Sequence, residues 1–190
     1  MAASPSGRAY AVAAGVIFLA GFGTVWLYGG VFLAGRATLP ALALLAAGAV
    51  LLLGGAFILC RRAVPDPANA DSARIARVFK QMNLAQYAAM TVAIVGANLA
   101  GRPDLIPALI SCVVALHFLP LAGLFGNPVY YVTTPAILLL DALAVLHAPH
   151  ESGALAAMAT GSVLWCTAIF QLVRGMRLVH RETSQRADVF

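Results

Sequence analysis

Long apolar runs separated by short polar connections set the pattern of this chain. Six runs lie near 9–34, 39–60, 84–100, 105–125, 129–147 and 153–173. A hydrocarbon core about 30 Å thick takes roughly 20 helical residues to cross, so each run reads as a transmembrane helix. The expected fold class is all-α: a polytopic integral membrane protein, a six-transmembrane-helix bundle forming a single transmembrane domain over 1–190. Arg8 precedes the first run as it would in a secretory signal, but the 26 residues of that run exceed an h-region of about 7–15, so it reads as a retained helix.

The connections carry the charge. The segment 61–83 is the one sizeable polar connection; its first half is Pro/Ala/Asp loop, and its second half turns helical after Asp71 or Ser72, either of which can cap a first turn. Arg74, Arg77 and Lys80 recur at three-residue spacing there, which makes an amphipathic entry to the third helix lying on anionic headgroups. In the tail, 174–190, Arg174, Arg177 and Arg181 stand at i, i+3 and i+7 on one stripe and anchor the sixth helix to the same leaflet. Ten Lys and Arg fall on that side (Arg8, 61–62, 74–80 and the tail), against Arg36 and Arg102 on the other. The excess marks the cytoplasm, so both termini are expected there.

Composition narrows the partners. The chain is 62% hydrophobic and 10% charged, with a mean hydropathy of +0.89, against about 25% charged residues in soluble domains. The net charge of +5 sits at helix ends, where it reports topology, and membrane lipids rather than nucleic acid are the expected partner. Cys60, Cys112 and Cys166 stand singly in separate runs and imply neither a disulfide framework nor a metal cluster. No cofactor is implied. His147, His150 and Glu151 would suit a metal on one helical face, but Pro149 interrupts them, so a polar outer turn and no metal site is expected. An Ala-rich composition fits a GC-rich bacterium and hence its inner membrane.

Polar residues inside the spans carry the functional information, because an ionisable group at mid-bilayer costs several kcal/mol unless paired, protonated or facing water. Asp141 is the one acidic residue within a span. Tyr131 and Thr134 share its stripe on the fifth helix, Tyr87, Thr91 and Asn98 (with Asn83) line the third, and Thr160, Thr167 and Gln171 line the sixth. His117 adds a titratable group on the fourth. Eight residues separate it from Phe125 and twelve separate Val129 from Asp141, about 12 and 18 Å from the helix ends. That places His117 level with a point between Thr134 and Asp141, bridged to the latter by water or ligand. Gly126-Asn127-Pro128 is an ordinary tight turn, with Tyr130 and Tyr131 as interfacial anchors.

His117-Phe118-Leu119-Pro120-Leu121-Ala122, followed by Phe125 and then Tyr130-Tyr131-Val132-Thr133, resembles a motif of small, uncharacterised bacterial six-helix integral membrane proteins. The resemblance implies a fold and brings no activity with it. This chain has Thr133-Thr134 where Thr-Gly belongs.

The leading expectation is a small membrane transport or solute-binding protein with a polar cavity among helices three to six, lined by Asp141, His117, Thr134, Tyr131, Asn98, Thr91 and Tyr87. One alternative is an intramembrane enzyme acting on a lipid or quinone-like substrate with His117 and Asp141 as acid–base partners; the chain leaves its status as an enzyme open. Another is a non-catalytic assembly protein, with the small-residue face Gly153, Ala157 and Gly161 serving a homo-oligomer or internal packing.

Overall fold

The computed structural model describes residues 5–63 and 72–187. They form α1 (Pro5–Leu33), α2 (Leu39–Arg62), α3 (Ser72–Leu99), α4 (Ile106–Phe125), α5 (Val129–His147) and α6 (Ser152–Ala187), with one 3-10 turn, Pro103–Leu105, leading into α4. The expected loop half, 64–71, lies outside the described residues, as do the side chains of Arg8, Arg74 and Arg186. Two helices outrun their apolar spans: α3 fuses the amphipathic entry with the third run, and α6 joins its apolar span and its basic stripe in one rod about 54 Å long.

Among the described residues, five helices are long and apolar enough to cross a membrane: Ala9–Leu33, Leu39–Arg62, Pro103–Phe125, Val129–His147 and Ser152–Arg181. The protein is thus a multi-pass membrane protein by its helix composition. Gln86, Tyr87 and Asn98 dilute the apolar character of α3. Yet α3 lies against α4 along its length, since the two are joined by a short turn at one end and Phe79 meets Phe125 edge-on at the other, with ring centroids 6.1 Å apart.

The bundle is organised around α6, which packs along α1 on one side and on α4 and α5 on the other, with α2 outside α1 and α3 outside α4. Glycine lets α1 and α6 approach closely. A Cβ on Gly161 would lie 2.7 Å from the carbonyl oxygen of Gly23, and one on Gly30 would lie 2.8 Å from the Met158 amide nitrogen. Gly153 closes on Asp104 and Pro107 in the same way. The face of Gly153, Ala157 and Gly161 therefore packs inside the chain. The indole of Trp165 donates to the hydroxyl of Thr24 at 3.2 Å, and the Tyr28 hydroxyl donates to the Leu42 carbonyl at 2.9 Å, which ties α1 to both neighbours.

The turn from α4 to α5 is as tight as expected. Gly126 takes φ 58°, the left-handed region that only glycine enters freely, and the Asn127 amide returns to the Ala122 carbonyl at 2.9 Å. Tyr130 departs from the expected pair of interfacial anchors. Successive helical residues point about 100° apart, so Tyr131 is exposed whereas Tyr130 is 6% exposed, with its ring 5.1 Å from that of Phe118.

Candidate functional site

The polar stripe of α6 faces α4 and α5 and builds a buried column there. Thr160, Thr167 and Gln171 are all buried. At the outer end, the hydroxyls of Thr160 and Ser111 bond to each other. One level nearer the α4–α5 turn, Thr133 and Thr167 share a hydrogen bond of 3.0 Å, and the Thr134 hydroxyl donates to the Ala115 carbonyl at 2.9 Å. At the turn, the Asn127 amide donates to the side-chain oxygen of Gln171 at 2.9 Å. Arg174, exposed, continues the stripe. From Thr160 to Arg174 the column spans about 21 Å.

Asp141 stands at the outer end of this column. It is 2% exposed, and neither carboxyl oxygen has a hydrogen-bond partner among the described residues. Ser111 and Cys112 of α4 are its polar neighbours, and the Ser111 hydroxyl also shares a hydrogen bond with Thr160 in which either can donate. An ionised carboxylate without a partner in such a place is costly, and a proton or a cation would remove that cost.

The inner end of the column opens into a cleft of about 370 Å³ between α1 on one side and α3 and α4 on the other. Ala14, Gly15 and Phe18 wall it from α1, Phe118 and Leu121 from α4, and Phe79 from α3. Its floor is polar: Tyr130, Asn127, Gln171 and Arg174. The Tyr130 hydroxyl lies beside both amides. After the Asn127–Gln171 bond is made, the oxygen of Asn127 and the nitrogen of Gln171 are buried without partners. Exchanging oxygen for nitrogen in both amides would leave the same count, one donor and one acceptor.

The structure brings together only some of the residues expected to form a site. Asp141 and Thr134 are buried on the inner face of α5. Tyr131, on the same helix, is 54% exposed, and on α3 Tyr87 is 65% exposed. Thr91 and Asn98 bond back to their own helix, to the Tyr87 carbonyl at 2.9 Å and the Ile94 carbonyl at 2.8 Å. The face of α3 turned to α4 is instead the apolar one, carrying Phe79, Met82 and Met90.

His117 and Asp141 are not neighbours. Thr134 meets Ala115 and Tyr130 meets Phe118, so about five residues at the end of α4 overhang the start of α5. That overhang sets half-buried His117 level with Val132, roughly 13 Å short of Asp141. Acid–base chemistry shared by the two has no geometric basis.

The sequence assigns Asn127 to a turn and Tyr130 to the interface, and it marks neither of them, nor Ser111 or α1, as part of the site. A lone serine in an apolar run and an asparagine in a turn carry no signal of their own. The signal for both was the α6 stripe, whose polar residues each needed a facing partner. Comparison of the chain with protein-family models, with curated proteins and with solved structures gave no match.

Proposed function

We propose that this chain is a small membrane transport or solute-binding protein of a bacterial inner membrane, crossing six times with both termini in the cytoplasm. The observation that carries the reading is the buried polar column that joins an unpartnered carboxyl to an aromatic-walled cleft. Hydroxyls used only as glue between helices would be satisfied in pairs, as Thr133 and Thr167 are. The orphaned atoms of Asn127, Gln171 and Asp141 at the two ends are not. In this reading the cleft takes the solute and Asp141 takes the proton or cation whose binding is coupled to it. The motif from His117 to Thr133 belongs to the proposal, since its Phe118, Leu121, Phe125 and Tyr130 line the cleft.

The six-crossing topology is supported by α3 lying alongside α4 and by the basic excess at Arg61, Arg62, Arg77, Lys80, Arg174, Arg177 and Arg181. A cysteine placed after Phe190 should react with impermeant maleimide only in opened cells; reaction in intact cells would refute the topology. The functional reading is tested by occupancy of the cleft. Ala14 lines the cleft from an exposed position on α1, so Ala14→Trp should fill it without disturbing the core. Wild-type protein taken from membranes should hold a small molecule that this variant lacks.

A further inference from the structure

Resting on the reading above, in which Asp141 carries the coupled ion, we infer that this ion is a dehydrated alkali cation of sodium size, held by Asp141 together with the hydroxyls of Ser111 and Thr160. Three observations converge on this chemistry.

The first is the donor set. Asp141 is 2% exposed, and Ser111 and Thr160 are fully buried. They belong to α5, α4 and α6, so three helices each bring one oxygen-bearing side chain to the same end of the column. Ser111 lies beside the carboxyl and is bonded to Thr160. A hydroxyl has one proton and two lone pairs, so both hydroxyls keep a lone pair for a cation after the bond between them is made. With the carboxyl they form an all-oxygen set, which suits a hard cation rather than zinc or copper.

The second is spacing. Neither carboxyl oxygen is hydrogen-bonded, although Ser111 stands next to the group. A proton shared between carboxyl and hydroxyl would draw their oxygens to about 2.5–3.0 Å. Sodium is close in size to calcium, whose oxygen ligands lie about 2.3–2.6 Å from the ion. Oxygens gathered around such an ion therefore stand farther from each other than a hydrogen bond allows. A carboxyl set beside the hydroxyl pair, and not bonded to it, is spaced as a ligand rather than as a partner in sharing a proton.

The third is charge. No other Asp, Glu, Lys or Arg occurs in 106–125, 129–147 or 152–173. One positive charge leaves the site neutral, whereas a divalent ion would leave an uncompensated charge among apolar side chains. Potassium is larger and asks for a wider cage of oxygens than these three side chains supply. A cleft of about 350 Å³ lies between α5 and α6 near their connecting turn, and Leu140 and Ala159 of its lining precede Asp141 and Thr160 in the chain. An ion would enter from this side.

Thermal unfolding of the purified full-length protein in detergent reads the site, with choline chloride replaced stepwise by a second salt at constant ionic strength and pH. Sodium chloride should raise the midpoint along a saturating curve, because a ligand held only by the folded state stabilises it. Lithium chloride should act in the same way, and potassium and calcium should need at least tenfold higher concentrations. Asp141→Asn keeps the shape of the side chain without its charge. The double variant Ser111→Ala/Thr160→Val removes both members of the hydroxyl pair, so that no buried donor is left over. Each should raise the half-saturating sodium concentration about tenfold or more, the loss expected for one charged contact. Thr133→Val, in the hydroxyl pair one level away, should leave it unchanged. A midpoint that does not distinguish sodium from choline, a sodium effect that survives either variant, or equal binding of potassium or calcium would overturn the inference. If sodium has no effect while the wild type still carries a small molecule that Ala14→Trp lacks, the cation inference falls and the solute-binding reading stands. If sodium binds and the wild type carries no small molecule, the solute-binding reading fails and the cation site remains.

Discussion

Gly161→Leu should leave almost no folded protein after detergent extraction. A Cβ at this position would lie 2.7 Å from the carbonyl oxygen of Gly23 and 2.8 Å from the Leu27 nitrogen. Both are backbone atoms of a helix, and neither can yield without moving α1 as a whole. That motion would also part Gly30 from Met158 and the Trp165 indole from Thr24. Overpacking of this kind costs about 3 kcal/mol or more, a large part of a stability of roughly 5–15 kcal/mol. Gly21→Leu is the control, since a Cβ there meets nothing within 4 Å. Size-exclusion profiles and thermal melts of the two variants check the prediction. Equal yields would mean that the α1–α6 contact is not what holds the bundle together.

Asp141→Asn should fold and melt like the wild type, because the amide keeps the size and shape of the side chain and lies beside the Ser111 hydroxyl. It cannot exchange a proton or hold a cation by charge. In proteoliposomes, any proton or cation flux coupled to the solute should therefore fall to the background of empty vesicles. His117→Gln should reduce the flux far less, since His117 lies outside the column. Unchanged flux in Asp141→Asn would remove the carboxyl from the mechanism. A variant as poorly folded as Asp141→Ala would make the role of this residue structural.

The helical character of each apolar run is legible in the sequence because lipid enforces it, span length following bilayer thickness, and Asp141 is legible as a lone acid in an apolar run, which the structure buries. The α6 stripe is legible for the same reason, with Thr160, Thr167 and Gln171 recurring at helical spacing. The partners of that stripe are not. Which face of α3 turns inward depends on Phe79, Met82 and Met90 fitting α4 better than Tyr87 and Thr91 do, a packing preference that a polar stripe viewed alone inverts. The offset of His117 from Asp141 depends on the overhang of α4 past α5, which the short turn permits but does not specify. The share of α1 in the cleft comes from its glycine contacts with α6, and those pair Gly23 with Gly161, residues 138 positions apart in the chain.

Native mass spectrometry of the protein released from membranes in mild detergent tests the central claim most directly. The account predicts that the wild type carries one discrete small-molecule adduct in 1:1 ratio, and that Ala14→Trp, equally well folded, carries none. A wild-type spectrum showing only the bare chain, or the same spread of bulk phospholipid adducts on both proteins, would contradict it.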